Sequence, residues 1–429
     1  MENLSSGESL NEMYKNINKL IVFRNLLKDP IIHDLKKLLL QTKSKKYDNA
    51  EIDNLYYTIV HNLIKASETN GLSGDLLKSY IVYSVIKSKN FFTEAAEKYG
   101  AKIQRSLYTA SLNDMKILYN IMNMELGLIT DKDNELLKNY SPTLNRHKIN
   151  MFDEEKLKIA QSESPENMLN NLIDYCFKIG SGEMSDNIAF RWENGLVGVS
   201  DYDYIKLSDI IGYDRQKTAL VKNTEAFING LPANNVLLIG SRGTGKSSSV
   251  KAMITEYYSK GLRLVEITKR QLLCFPDILT ELKNRGKYFI VFIDDLSFEE
   301  GEIEYKQMKS FLDGGIEKVP SNVLVYATSN RRHLIKETWS DKIQNGEELH
   351  NSDTVNEKLS LSDRFGLKLT YISPDQKEYF KIVEGLAKKS NLNIPEETLK
   401  KEAAKWALNQ NGRSGRTAKQ FINYISSEK

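Results

Sequence analysis

One run, Gly240-Ser241-Arg242-Gly243-Thr244-Gly245-Lys246-Ser247, constrains this chain more than any other feature of it. It fits the pattern G-x-x-x-x-G-K-[ST], follows the apolar stretch Val236 to Ile239 and precedes the helical stretch Ser248 to Tyr257. A buried strand, a glycine-rich turn and a helix in that order aim several backbone N–H groups at one point, a geometry suited to phosphate. The glycines let the loop adopt conformations closed to other residues. Lys246 is placed to reach outer phosphates, and the Ser247 hydroxyl to coordinate Mg²⁺. The run is therefore read as a nucleotide site. Its binding residues are Gly240, Ser241, Arg242, Gly243, Thr244, Gly245, Lys246, Ser247 and Ser248.

A phosphate loop needs a sheet behind it. Val236–Ile239, Leu264–Ile267, Phe289–Ile293, Val323–Ala327 and Leu367–Tyr371 are short apolar runs with helical stretches between them. That is the pattern of a parallel sheet covered on both faces. The run ending at Ile293 continues into Asp294-Asp295. Asp294 is placed to hold Mg²⁺ through its water shell, and Asp295 to orient or deprotonate an attacking water, with Glu299 and Glu300 as alternative bases. Asn330, at the end of the next strand, can donate to a γ-phosphate or its attacking water, or can simply cap the following helix. Asp363-Arg364-Phe365-Gly366 precedes the last strand and Gly412-Arg413-Ser414-Gly415-Arg416 the last helix. Ser373-Pro374-Asp375-Gln376 reads as a capping box with proline at the first helical position, after which the chain is helical.

Upstream of residue 186 the sequence is helical and chemically plain. Leu10, Met13, Tyr14, Ile17, Leu20 and Ile21 recur at helical intervals, as do Ile52, Leu55, Tyr56, Ile59, Val60, Leu63 and Ile64. Ser164-Pro165 starts another helix whose buried face is Met168, Leu169, Leu172, Ile173 and Cys176. Ile188–Trp192 and Gly195–Val199 read as short strands about a turn at Glu193-Asn194. With 40% hydrophobic residues the chain can build real cores, which excludes wholesale disorder. Sixty Lys+Arg against 57 Asp+Glu argue against a generally polybasic nucleic-acid binder. Two distant cysteines and five scattered histidines offer no metal-ligand spacing. No stretch approaches the ~18 apolar residues of a membrane span, and the polar N-terminus lacks a signal core. The expectation is a soluble, cytoplasmic protein.

Phosphate loop, acidic strand, polar strand end, arginine before the last strand and arginine on a terminal helix, in that order, resemble the AAA+ ATPases. More closely, the chain resembles a bacterial AAA+ family catalogued as a domain of unknown function. The runs "GSRGTGKSSSVKA", "DDLSFEEGE", "YATSNRRHLI", "EKLSLSDRFGL" and "GRSGRTAKQF" carry the resemblance over residues 186 to 429. It implies a P-loop α/β domain at 186–372 with a five-stranded parallel sheet, opened by a short β segment at 186–204. A helical lid at 373–429 and an all-α N-terminal domain at 1–185 complete the chain. It further implies ATP with Mg²⁺ between sheet domain and lid, Asn330 as sensor 1, Arg364 as a finger acting on a neighbouring subunit and Arg416 as sensor 2. Ile210-Ile211-Gly212 sits where the adenine is usually clasped. The expected catalytic set is Lys246, Asp294, Asp295, Asn330 and Arg364, with Ser247 and Asp294 on the metal.

Two departures from the AAA+ pattern shape the functional expectation. Asp295 stands where most members have a glutamate, one methylene longer. Thr268 to Pro276 lacks the aromatic–apolar–glycine loop of threading unfoldases, and Asp313 to Val323 leaves no room for a long β-hairpin, which argues against a helicase motor. The leading expectation is an ATP-hydrolysing homo-oligomer, conceivably a ring, that remodels or loads a protein or nucleic-acid partner through the N-terminal helices. Slow hydrolysis in a nucleotide-gated switch or scaffold is the first alternative. A DNA-associated initiator or loader is the second, supported locally by Arg331-Arg332-His333, Lys401, Lys405, Arg413 and Lys419.

Overall fold

The computed structural model describes residues 6–42, 48–126, 135–144, 153–299, 302–312, 319–331, 334, 361–410 and 412–427. The chain divides into two compact units, Met1–Asn187 and Ile188–Lys429.

The first unit is helical: α1 Ser6–Ile17, α2 Pro30–Gln41, α3 Asn49–Asn70, α4 Leu76–Lys87, α5 Phe91–Tyr99, α6 Arg105–Met122, α7 Glu135–Lys138, α8 Asp153–Ala160 and α9 Pro165–Lys178. Its helices start where side chains satisfy the orphan N–H groups of the first turn. Asp29 accepts from Ile31 and Ile32 at α2, and Ser164 accepts from Asn167 at α9 with Pro165 in the first position. All five residues expected on the inner face of α9 are buried. The first apolar repeat overshoots, because α1 ends at Ile17 and Ile21 is exposed. The N–H groups of Ile21, Val22 and Phe23 converge on the Asp114 carboxylate at 2.7–3.0 Å, and three consecutive amides turned to one point cannot continue a helix.

The second unit is built on one sheet. Its strands are β1 Ala189–Trp192, β2 Leu196–Gly198, β3 Val236–Gly240, β4 Leu262–Ile267, β5 Tyr288–Ile293, β6 Val323–Ser329 and β7 Leu367–Tyr371. They lie in the order β2-β1-β4-β5-β6-β3-β7. The five central and right-hand strands, β4-β5-β6-β3-β7, are all parallel. The sheet has seven strands rather than five, because β1 extends it by pairing parallel to β4 and β2 folds back on β1. Helices α10 Asp214–Ile228, α11 Lys246–Tyr257, α12 Phe275–Lys283 and α13 Ile303–Leu312 accompany the strands.

Three helices end the chain: α14 Gln376–Lys389, α15 Glu396–Asn409 and α16 Gly415–Ser427. They pack around their own core of Tyr379, Val383, Leu399, Ala403, Ala418 and Phe421. The cap of α14 is Asp375, not Ser373. Its carboxylate accepts from the Glu378 amide at 2.8 Å while the Glu378 side chain returns to the Asp375 amide. Asp375 and Glu378 stand three residues apart and close the reciprocal box, which leaves Pro374 outside the helix.

Candidate nucleotide site

The register of the sheet sets the site. Ile239 lies opposite Ser329 and Thr370, and Gly240 opposite Tyr371, so β3, β6 and β7 end level with one another. Ile293 of β5 lies opposite Ala327, bringing the following aspartates to the same edge. Ligands of parallel α/β sheets collect beyond these carboxyl ends. Gly240 is required where the loop leaves β3, since its φ is +150° and a Cβ there would lie 1.9 Å from the Tyr371 carbonyl oxygen.

Lys246 opens α11 with its ammonium buried under the loop. It donates to the carbonyls of Gly240 (2.7 Å) and Ser241 (2.8 Å) and to Asn330 Oδ1 (2.9 Å). Burial holds its pKa below the ordinary lysine value; Asp294 and Asp295 oppose that shift, while Arg416 and Arg242 add to it. Ser247 donates to Asp294 Oδ1 at 2.6 Å, and Thr328 donates to the same oxygen at 2.5 Å. A hydroxyl and a carboxylate side by side are a hard, all-oxygen donor set, and they fit Mg²⁺. Asp295 follows with φ +54°, a conformation that aspartate tolerates better than most residues. Its amide bonds Thr328 Oγ1 (2.9 Å) and its carboxylate accepts from Asn330 Nδ2 (2.6 Å). Arg242 Nη2 stands 4.0 Å from the other carboxylate oxygen. Asn330 thus links Lys246 to Asp295.

A cavity of about 610 Å³ extends from the loop. Gly243, Thr244, Gly245, Lys246, Ser247, Ser248, Asp294 and Arg416 line it from the loop, the acidic strand and the lid; Ile210, Ile211, Ile382 and Leu386 give it an apolar wall. Gly212 is not among the lining residues and turns the chain at φ +82°. The terminal helices close over the loop at Gly243, whose carbonyl accepts from the Arg416 amide at 3.2 Å. A Cβ at Gly243 would lie 2.9 Å from Ser414 Oγ.

Arg364 stands apart from this cluster. It precedes Leu367, whose partner is Val236 at the start of β3, so nearly the whole length of the strands separates it from the loop beyond Gly240. At about 3.3 Å per residue this exceeds an arginine's reach. Asp363 is paired with Lys368. Glu299 is exposed, and Glu300, Arg332 and His333 lie outside the described residues. Sequence reasoning missed Thr328, because a threonine inside an apolar strand looks like ordinary strand filling. It also missed Lys389 and Asp209, charged residues far apart in sequence that meet at the cavity wall, Lys389 Nζ to Asp209 Oδ1 at 2.6 Å.

Residues 185–429 match the model of a family described as "Protein of unknown function (DUF815)". The match covers more than half of the chain, and the chain belongs to that family. Its sheet sets the phosphate-loop strand β3 between β6 and β7, and the three helices α14 to α16 follow β7. No curated protein matches it. Among solved structures it is similar to the Thermotoga maritima RuvB Holliday junction branch migration motor, at 21% identity over 52% of this chain and 64% of that one, TM-score 0.35. A point mutant of the same RuvB gives 20% identity, 52% and 65% coverage, and a TM-score of 0.38. The chain thus spans less than two thirds of the length of these structures. Among the described residues no helix is long and apolar enough to cross a membrane.

Proposed function

We propose that this family member binds ATP with Mg²⁺ in the cavity between sheet and lid and hydrolyses it within a homo-oligomer, coupling the cycle to a partner engaged by the helical unit. The observation that carries the reading is the hydrogen-bonded chain Ser247–Asp294–Thr328–Asp295–Asn330–Lys246 at the sheet edge beneath the loop. The loop amides and Lys246 hold the phosphates, Arg416 reaches them from the lid, and Ile210 and Ile211 cover the adenine. Ser247 and Asp294 would hold Mg²⁺, which would supply neutralisation of the phosphate charge. Asp295 orients the attacking water and takes its proton as the bond to the ADP oxygen breaks; Asn330 positions both water and γ-phosphate. Arg364, too far from its own loop, serves the site of an adjacent copy.

The test is Lys246→Ala. Losing the one ammonium under the phosphates should weaken ATP binding roughly a hundredfold, the weight of about two charge-assisted hydrogen bonds. The helical unit should keep its circular dichroism. Unchanged nucleotide affinity would overturn the site. One observation favours a slower variant of the same reading: Asp295 is short and already engaged by Asn330. A single-turnover rate far below that of nucleotide exchange would mark a switch rather than a motor.

A further inference from the structure

The cavity's apolar wall is joined by a contact between the lid and the segment before α10. Along α14, Ile382, Gly385, Leu386 and Lys389 fall at helical spacing on one face. Ile382, Leu386 and Lys389 line the cavity. Gly385 sits inside the helix, where glycine is a poor choice and alanine a better one. The packing explains it: a Cβ at Gly385 would lie 2.4 Å from Ile211 Cδ1 and 3.2 Å from Ile211 Cγ1. One turn on, Lys389 Nζ donates to the Ser208 carbonyl at 2.7 Å and to Asp209 Oδ1 at 2.6 Å. The other Asp209 oxygen accepts from the Lys206 amide at 2.8 Å and holds the short 3-10 turn Leu207–Asp209.

The segment that receives these contacts is fixed to the sheet domain. Tyr202 Oη donates to the Lys251 carbonyl at 2.8 Å, Lys217 Nζ to the Ile210 carbonyl at 2.9 Å, and Tyr213 Oη to the Ile372 carbonyl at 2.8 Å. It therefore behaves as a wall of the sheet domain, and the Ile211 and Lys389 contacts join that wall to the lid. The Lys389–Asp209 pair is partly exposed, and such pairs add little to stability. Its consequence lies in its position, since Asp209 and Lys389 both line the cavity.

We infer that Gly385 and Lys389 form a two-point clasp with Ile211 and Ser208–Asp209 that sets how fast nucleotide leaves. They are positioning residues that act through the lid, at the apolar wall of the site, and so act alike on di- and triphosphates. The inference rests on the nucleotide reading above. The contacts of the clasp lie within the chain, so hydrogen exchange reads them independently of nucleotide.

The experiment uses the full chain with Gly385→Ala, Lys389→Ala and the double change Gly385→Ala with Ile211→Val, which removes the Cδ1 that a new methyl would strike. Dissociation of radiolabelled ADP, and of a radiolabelled non-hydrolysable ATP analogue, is followed after a chase of unlabelled nucleotide. Each single change should speed both dissociations about tenfold and by the same factor, since changes at a preformed contact act chiefly on off-rates. The double change should slow both dissociations relative to Gly385→Ala alone, while the melting temperature of Gly385→Ala does not fall. In nucleotide-free protein, backbone hydrogen exchange at residues 205–213 should quicken in both single variants. Unchanged dissociation in either single variant, a change confined to the ATP analogue, or a double change no slower than Gly385→Ala would overturn the clasp. A wild-type chain that binds neither nucleotide would refute the nucleotide reading. Hydrogen exchange would then decide alone whether the clasp exists.

Discussion

Asp114 in the helical unit and Asp294 in the sheet-containing unit are satisfied in opposite ways. Asp114 is fully buried and accepts from the consecutive amides of Ile21, Val22 and Phe23. Asp294 is exposed and accepts from two side-chain hydroxyls, Ser247 and Thr328. Main-chain donors can be withdrawn only by moving the chain, whereas a hydroxyl rotates to a new partner at little cost. Asp186 belongs with Asp114: burial would raise its pKa, but Lys156 and Lys87, at 2.6 and 2.9 Å, hold it below the usual carboxylate range. The helical unit thus spends its carboxylates on its own architecture. The sheet-containing unit gathers Asp294, Asp295, Asn330 and Lys246 at one edge, bonded through side chains that can exchange partners.

That contrast breaks first, if it breaks at all, at Arg364. An open site need not be complete within one chain, and the register puts Arg364 at the far end of the strands from its own loop. Arginine fingers are worth roughly 10³–10⁵ in rate in well-studied NTPases. Arg364→Ala should bind ATP normally and lose turnover on about that scale. Mixing it with Lys246→Ala should restore part of the activity, because some interfaces then pair an intact loop with an intact arginine. Turnover by a monomer, untouched by Arg364→Ala, would show the site to be closed within the chain.

Asp295→Asn tests the same openness within the chain. It keeps most of the shape and removes the proton acceptor, so kcat should fall by about 10²–10⁴ with melting temperature and nucleotide affinity nearly unchanged. If turnover survives, the base is another carboxylate and Asp295 is an architectural residue of the Asp114 kind. The converse change is Asp114→Ala. It leaves three amides, the buried ones of Val22 and Phe23 among them, without an acceptor and should destabilise the helical unit by about 3 kcal/mol or more. Limited proteolysis would show early cleavage in residues 1–187, with nucleotide affinity of the remaining unit kept. Loss of nucleotide binding at the same temperature would mean that the two units do not melt separately.

The same contrast explains what could be read from the sequence. The phosphate loop is contiguous and its flanking strands are apolar throughout, because parallel strands are buried on both faces. Position along the chain therefore revealed loop, strands and acidic edge together. Pairing between distant segments left no such trace. Nothing local announces that Ala189–Trp192 lies beside β4, or that Ile21 gives its amide to Asp114 and its side chain to solvent. Asp363 pairs with Lys368, which follows in β7, a partnership that only the turn before the strand creates. Lys389 and Asp209 lie 180 residues apart, and only the fold of the lid brings them together. Thr328 was hidden by its strand, where a β-branched residue raises no question.

The smallest predicted effect is also the most direct reading of how the loop is held. Burial lowers the pKa of Lys246 from the ordinary lysine value of about 10.4. Phosphate at the loop favours the ammonium and raises that pKa again in the complex. Below the free-state pKa both forms carry the proton, and affinity is full and flat. As pH climbs through the free-state pKa, the free protein loses a proton that the complex keeps. Affinity then falls by up to about tenfold per pH unit until the bound-state pKa is passed. Folding stability moves the other way for this group: a lowered lysine pKa means the charge is tolerated less well folded than unfolded, so its penalty is relieved as pH rises through the folded pKa. Weakened binding should therefore appear on the alkaline side, below the ordinary lysine value, without a loss of stability from Lys246. ATP affinity measured by calorimetry from about pH 8 to about pH 10, in wild type and in Lys246→Arg, separates this from general alkaline effects, since arginine keeps its charge throughout. A fall of equal size in both proteins, or one that begins only at the ordinary lysine value, would show that the ammonium is not held in the buried position described. The Lys246–Asn330 contact would then be no part of the resting site.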